Sequence, residues 1–143
     1  MTVREARLDD AAALARLATE LGYPTTVEEA SRRAADVLAR PGHAVFVAEV
    51  EGEVAGWIHV VESVTLESDR SAEIGGLVVG DAHRGVGIGA RLVAEAERWA
   101  GSRGYRLLRV RSNVTRVRAR RFYEREGFAV TKSQNHFVKP LAT

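Results

Sequence analysis

A glycine-rich turn between a strand pattern and a helix pattern is the part of this sequence best suited to chemistry. The turn extends from Arg84 to Ala90 and has glycine at positions 85, 87 and 89. Backbone amides at a helix N-terminus, with the helix dipole behind them, attract anions. Glycine lets a phosphate approach those amides without interference from a Cβ atom. The turn therefore predicts a phosphate-binding loop, with Arg84 adding a guanidinium at its entrance.

Two common kinds of phosphate-binding loop do not fit this turn. A Walker loop needs a lysine directly after its last glycine, and the first lysine of the chain is Lys132. A dinucleotide-binding loop also needs an acidic residue about 20 positions later, at the end of the next strand. No Asp or Glu occurs between Glu97 and Glu124. The dinucleotide interpretation is therefore excluded, although Gly85-x-Gly87-x-x-Ala90 matches its glycine spacing.

The elements that must position this loop are predicted from hydrophobic periodicity and from turn residues. Asp9 is the expected N-cap of a first helix, and Thr26 with Glu29 forms a capping box for a second. Strands are expected at 2–7, 43–50, 54–61, 72–79 and 107–111, helices after Gly89 and at 115–126, and a closing hairpin at 128–131 and 136–138. This order predicts one α/β domain over 1–143 with a mixed sheet.

Composition excludes several classes of site. The chain has 143 residues, of which 45% are hydrophobic and 28% charged. It has no cysteine, so disulfides, thiolate zinc sites and cysteine nucleophiles are excluded. No apolar run is long enough for a membrane span or a signal peptide, which predicts a cytoplasmic protein. The four histidines lack paired metal-ligand spacing, so no metal is expected. They are expected to be structural or solvent-facing, with His83 the only one near the predicted site. Trp57 and Trp99 are expected in the core.

Charge is divided unevenly along the chain. Residues 1–72 hold 7 Arg against 13 Asp and Glu, a net charge of −6, whereas residues 73–143 have a net charge of +8. A basic half favours an anionic partner, and an acidic half favours a cationic one. Nucleic acid is disfavoured as that anion, because the arginines between 103 and 125 have no accompanying helix-turn-helix, zinc finger or aromatic stacking platform.

Two motifs resemble a known family of enzymes. The first, after a strand, is Arg84-x-x-Gly87-x-Gly89, which resembles the acyl-CoA pyrophosphate signature of the GNAT superfamily of N-acetyltransferases. The second is Asn113 followed by Ala119-x-x-Phe122-Tyr123-Glu124-x-x-Gly127-Phe128, which resembles the second half of that family. The resemblance covers essentially the whole chain. It implies a mixed, mostly antiparallel sheet that is splayed at the acyl-CoA site and flanked by about four helices.

The same resemblance implies an activity and a set of cofactor contacts. Family members transfer acetyl from acetyl-CoA directly to an amine, without an acyl-enzyme. The glycine pair at positions 75 and 76 is expected to form a bulge that leaves backbone groups of the preceding strand free. The Val79 amide is expected to polarise the thioester carbonyl. The expected cofactor contacts are Leu77, Val78, Val79, Arg84, Gly85, Val86, Gly87, Ile88, Gly89, Ala90, Asn113, Arg116 and Arg120.

Tyr123 is the expected general acid. A tyrosine pKa near 10 is close enough to a thiol pKa of about 8.5 for the phenol to protonate the leaving thiolate. Arg116 and Arg120 share its helix face and are expected to lower its pKa. The alternative is that Tyr123 is a core aromatic residue. Asn113 contacts the cofactor near the thiol, forms an N-cap, or does both.

The general base is less clear from the sequence. Many family members have Glu at the position of Gly75, and Glu73 is the nearest acidic residue on the same strand face. Glu73 is therefore the candidate base, with a surface carboxylate as the alternative. Tyr23, in the turn between the first two helices, is expected to line the acceptor pocket.

The acidic half of the chain predicts a small cationic acceptor, with aminoglycosides and polyamines ahead of neutral amino acids. The alternatives are a protein lysine or N-terminus as the acceptor, or a non-catalytic acyl-CoA sensor. The strand-like segment 128–138 predicts a homodimer.

Overall fold

The computed structural model describes residues 1–142 and divides the chain into two compact units, residues 1–111 and residues from Ser112 onward. The single domain over 1–143 stays a prediction. The helices and strands of the first unit are β1 Thr2–Glu5, α1 Ala11–Leu21, α2 Val27–Leu38, β2 His43–Val50, β3 Glu53–Ser63, β4 Ser71–Val79, α3 Ile88–Ser102 and β5 Leu108–Val110. The second unit contains α4, Val117–Arg125.

The five strands form one mixed sheet in the order β1-β2-β3-β4-β5. Neighbouring strands are antiparallel from β1 to β4, whereas β4 and β5 are parallel. The parallel pair follows from α3, which carries the chain back across the sheet between these two strands. The mixed, mostly antiparallel sheet predicted from the sequence is confirmed.

Both faces of the sheet are buried, and alternation along β3 separates them. On one face, Trp57 lies opposite Val47, and the residues of that side pack with Leu14 and Leu17 of α1. On the other face, α3 covers Gly56, since a Cβ atom there would stand 3.2 Å from Leu92 and 3.3 Å from Ile88. Helices α1 and α3 thus cover opposite faces of the sheet.

The start of α1 differs from its prediction. A short 3-10 turn, Leu8–Asp10, precedes the helix, and Asp9 forms no cap. The buried carboxylate of Asp10 instead accepts hydrogen bonds from both Nη atoms of Arg4, each at 2.9 Å, and from the Arg7 amide at 2.7 Å. The buried, ion-paired carboxylate of Asp10 stabilises the fold more than an exposed N-cap would. The capping box of Thr26 and Glu29 at the start of α2 is confirmed.

Replacing Asp10 with Asn is expected to lower the free energy of unfolding by about 1.5–3 kcal/mol, the range for hydrogen bonds to charged groups. The hydrogen bond from Arg4 lowers the pKa of Asp10, so its contribution is complete above the unfolded pKa and is lost as pH falls through the folded value, below 3.8. Urea unfolding at pH 7 and in acid measures both effects. Asp9→Asn is the matched control, because Asp9 is exposed. Equal, small losses in the two variants would contradict this account of Asp10.

The predicted closing hairpin is wrong. Residues 128–142 contain no strand, and Phe137 is 87% exposed. A two-stranded hairpin is marginal in water by itself, and here Val130, Phe137 and Val138 are exposed and gain nothing by burial. The homodimer expected from these strands stays a prediction without a strand to support it.

Across residues 1–142, none of the helices is both long and apolar enough to cross a membrane.

Candidate active site

The free edge of β4 is the centre of the candidate site. His59 of β3 pairs with Gly76 and Val60 pairs with Ile74, so Gly75 is the extra residue of a bulge. On its other side β4 pairs with β5 only from Ala72 to Ile74. From the bulge to Val79, no strand of the described first unit pairs with that edge. The predicted bulge and the splayed sheet are confirmed.

The bulge also decides which amides of β4 face the free edge. The Gly80 amide donates to the Ala55 carbonyl of the β3 side at 2.8 Å. Because hydrogen-bonding direction alternates along an antiparallel strand, the backbone groups of Leu77 and Val79 point away from β3. Before the bulge, the Ala72 amide donates toward β5, to the Leu107 carbonyl at 3.0 Å. The Val79 amide is therefore oriented as an oxyanion donor on this edge would be.

The glycine-rich turn leads from β4 into α3. Gly85 and Gly87 have φ values of 82° and 85°, in the left-handed region that favours glycine, and a Cβ atom on either would meet nothing within 4 Å. Gly87 is the N-cap of α3 and provides no side chain to cap it. Within the described first unit, the amides from Gly85 to Ala90 donate no hydrogen bond. These unpaired donors can bind an anion.

Arg84 and the start of α3 hold this turn in place. The Arg84 guanidinium lies 3.2 Å from the carboxylate of Asp81, three residues earlier. Ile88, the first residue of α3, is buried against the sheet. The turn is thus anchored at both ends, while its middle remains open.

A pair of histidines lies beside the bulge. His43 Nδ1 and His59 Nε2 are 2.9 Å apart, and the two rings stack with centroids 5.2 Å apart. A Cβ atom at Gly75 would stand 2.9 Å from His59 Nδ1, so the imidazole occupies the space next to that glycine. Burial lowers the pKa of His59, and nearby His43 lowers it further.

This pair was not predicted from the sequence, and the placement of His83 as the only histidine near the site is wrong. The signal was present in the β2–β3 hairpin. Its register places Val45 opposite His59 and His43 opposite Val61, so the two histidines are diagonal neighbours on one face.

Glu73, the candidate base from the sequence, lies opposite Val61 on the face that also carries His59. Its half-buried carboxylate is 3.6 Å from the Nε atom of the exposed Arg111. Tyr23 follows Gly22 at the end of α1 and is 63% exposed. Both side chains are accessible to a ligand.

In the second unit, two aromatic rings flank Tyr123. Phe122 and Phe128 contact it edge-to-face, with centroids 5.2 and 5.5 Å away. Arg116 and Arg120 were expected to lower the pKa of Tyr123, but the net shift is upward. Burial raises this pKa, and Arg116 offsets only part of the rise. Arg120 instead lies 3.5 Å from the carboxylate of Glu124.

Asn113 does not form the N-cap of α4, which is Arg116. The Asn113 side-chain oxygen accepts hydrogen bonds from the amide and the hydroxyl of Thr115, at 3.0 and 2.8 Å. It therefore stabilises the turn before the helix.

Comparison with known proteins decides the family. The sequence profile of the "Acetyltransferase (GNAT) family" matches residues 9–128. The chain belongs to the GNAT acetyltransferase family. An uncharacterized N-acetyltransferase of Archaeoglobus fulgidus is 33% identical over 132 residues, which are 86% of this chain and 89% of that protein.

Solved structures share the GNAT fold over nearly all of the chain. A transcriptional regulator from Bacillus halodurans C-125 has a TM-score of 0.84 at 27% identity, with 96% of this chain and 99% of that one covered. The aminoglycoside N-acetyltransferase AAC(6')-Iy in complex with CoA has a TM-score of 0.87 at 17% identity, covering 98% and 95%. These likenesses confirm the open mixed sheet as a GNAT fold.

Proposed function

We propose that this GNAT protein transfers an acetyl group from acetyl-CoA directly to a primary amine of a small cationic acceptor, with both substrates bound together. The observation that carries the proposal is the unpaired backbone of β4 and of the turn that follows it. A free strand edge and a row of free amides are the two features that an extended acyl chain ending in a pyrophosphate requires.

The residues present fit acetyl-CoA. The amides from Gly85 to Ala90 bind the pyrophosphate, and Arg84 adds positive charge at the entrance of the turn. Leu77 and Val79 pair through their backbone with the pantetheine arm, as an added strand would, and Val78 lies between them. Asn113, Arg116 and Arg120 are the proposed contacts from the second unit. Their role rests on the family motif.

Val79 and Tyr123 are the proposed catalytic groups. The Val79 amide donates a hydrogen bond to the thioester oxygen as negative charge develops there. The Tyr123 hydroxyl gives its proton to the sulfur as the C–S bond breaks. Because burial raises the pKa of Tyr123, the hydroxyl is protonated at neutral pH and ready to donate. Glu73 is the carboxylate candidate for the amine proton, and the histidine pair supplies a second candidate.

The acceptor is proposed to be cationic because of the carboxylates around the α1–α2 turn. Six of the seven arginines in residues 1–72 pair with carboxylates. Glu20 and Glu28 lie outside these pairs, on either side of the turn that carries Tyr23. Asp69 contributes less to this attraction, because it lines an open groove with Arg70, Arg103, Arg106 and Arg109. The shared fold of an aminoglycoside acetyltransferase is consistent with a small amine.

With a polyamine acceptor and saturating acetyl-CoA, kcat/KM is expected to fall several-fold between about 0.01 M and about 0.15 M ionic strength, as the Debye length shrinks from about 30 to about 8 Å. Glu28→Gln should reduce this salt dependence, whereas Glu51→Gln, which removes the same charge from the β2–β3 turn, should not. Steady-state kinetics at several salt concentrations measures the effect. A preference for neutral acceptors, with kcat/KM independent of salt, would contradict the cationic acceptor.

Thiol release from acetyl-CoA in the presence of a panel of amines tests the proposed function. Polyamines and aminoglycosides are expected to give the highest kcat/KM, ahead of neutral amino acids and lysine-containing peptides. A best activity toward peptide lysines or N-termini favours the protein-acetyltransferase alternative. Binding of acetyl-CoA without thiol release for any amine favours the sensor.

A further inference from the structure

We infer that His59 takes the proton of the acceptor amine and that His43 passes a proton on to water. The inference rests on the proposed function, since it assigns the base for that same reaction. It makes His59 a catalytic residue and His43 a positioning residue and relay.

His59 lies in the sheet beside the start of the free β4 edge. Its Nδ1 atom faces Gly75, the bulge residue at which the free edge of β4 begins. A side chain at position 75 would stand between the imidazole and this edge, and glycine leaves the path open. Nδ1 has no hydrogen-bond partner in the described first unit. It is also not one of the polar side-chain atoms of that unit that are fully buried without a partner. This atom is therefore the accessible end of the pair.

The short contact between the rings requires a proton on one of the two facing nitrogens, and we place it on His59 Nε2. If the Nε2–H of His59 donates to Nδ1 of His43 across 2.9 Å, then Nδ1 of His59 carries a free lone pair. That is the form a general base needs. The burial that lowers the pKa of His59 keeps the ring neutral at neutral pH.

The charged groups around His59 are few. His43 faces it from β2, and on β4 the nearest carboxylate on this face is Glu73, which pairs with Arg111, directly after β5. The side chains of α1 and α2 that are at least half-buried carry one charge, that of Glu29, and its carboxylate accepts a hydrogen bond from the Thr26 amide. None of these groups is a carboxylate in contact with His59, so a proton taken at Nδ1 is not held there as an imidazolium and is passed on through the hydrogen bond to His43.

The proton balance is complete without a further reactant. His59 Nδ1 takes a proton from the acceptor ammonium, its Nε2 proton moves to His43 Nδ1, and His43 releases its Nε2 proton to water. The neutral amine then forms the C–N bond, and the electron pair of the C–S bond leaves with sulfur, which takes the proton of Tyr123. The remaining excess proton on nitrogen restores Tyr123. After the product leaves, the relay runs back with water as both partners: His43 Nε2 takes a proton from water, His43 Nδ1 returns its proton to His59 Nε2, and His59 Nδ1 gives its proton to water. Overall, one ammonium and one thioester give one amide, one thiol and one proton.

His59→Asn is the decisive variant. At pH 7 its kcat/KM is expected to fall roughly 10²- to 10³-fold, within the usual contribution of a general base. The loss should shrink as pH approaches the pKa of the acceptor amine, about 10, because the ammonium then loses its proton without help. The acid limb of the wild-type profile, expected below pH 6.5, should disappear. His43→Asn should shift that limb with a smaller loss of rate, and His136→Asn, in the exposed terminal segment, is the matched control.

Two readouts separate failure of this inference from failure of the proposed function. An unchanged melting shift with acetyl-CoA shows that each variant is folded and binds the co-substrate. If wild type releases thiol but His59→Asn has the same activity at every pH, His59 is not the general base and the proposed function stands. A loss of activity confined to Glu73→Gln would likewise show that His59 is not the base. If wild type releases no thiol, the proposed function is wrong. ¹⁵N NMR of the histidine rings then still determines the tautomer of His59 in the pair. A neutral Nε2–H tautomer of His59 at pH 7 supports the inference, and an Nδ1–H or protonated ring overturns it.

Discussion

Gly87→Glu is expected to abolish the stabilisation of the protein by acetyl-CoA. Wild type should gain about 2.7 kcal/mol of unfolding free energy at a ligand concentration 100-fold above Kd. In the variant, a carboxylate enters the open space at the N-cap of α3 and competes with the pyrophosphate for the free amides. Its negative charge also repels the ligand. The melting temperature with and without acetyl-CoA measures the change.

Gly104→Glu is a closely matched control for this variant. Gly104 has a φ of 80°, beside 85° for Gly87, and a Cβ atom there also meets nothing within 4 Å. The two substitutions add the same charge and a similar backbone strain, at opposite ends of α3. Gly104→Glu should therefore lose some stability and keep the full shift with acetyl-CoA. An undiminished shift in Gly87→Glu would contradict the phosphate-binding role of the turn.

Tyr123→Phe is expected to lower turnover by roughly 10²- to 10⁴-fold and to leave the affinity for acetyl-CoA nearly unchanged. The substitution removes the hydroxyl proton and keeps the ring between Phe122 and Phe128. Because burial raises the pKa of Tyr123, wild-type turnover should decline only as pH rises above 10, where the hydroxyl ionises. Single-turnover kinetics isolates the chemical step.

Tyr105→Phe is the control for the loss of a tyrosine hydroxyl. Tyr105 packs on Trp99 in the first unit and has no proposed role in the reaction. Its replacement should leave turnover unchanged. Wild-type turnover in Tyr123→Phe, measured where chemistry limits the rate, would show that Tyr123 is an aromatic packing residue and not the acid.

Local signals in the sequence were sufficient for most of the fold. The capping box at Thr26 and the turn at Gly52 depend on residues close to one another, and they predicted α2 and the β2–β3 hairpin. The bulge was also predictable, because two adjacent glycines interrupt an otherwise apolar strand. The glycine-rich turn combines two local features, glycine spacing and the start of a helix.

The predictions that failed depend on contacts between distant residues. Asp9 was predicted as the N-cap of the first helix, but α1 begins after Asp10, whose carboxylate is held by Arg4 of β1. The pKa of Tyr123 depends on how deeply the ring is buried, which helix spacing does not reveal. The histidine pair needs the exact register of a hairpin, since a shift of one residue would move His59 to the opposite face.

The most direct test of the account compares thiol release with the fate of the acetyl group. Purified protein is incubated with acetyl-CoA, with and without a polyamine, and both the amine and the intact protein are examined by mass spectrometry. The account predicts one acetylated amine for each thiol released, no thiol release without amine, and no acetyl group on the protein. Release of thiol without amine, together with an acetylated protein, would contradict direct transfer.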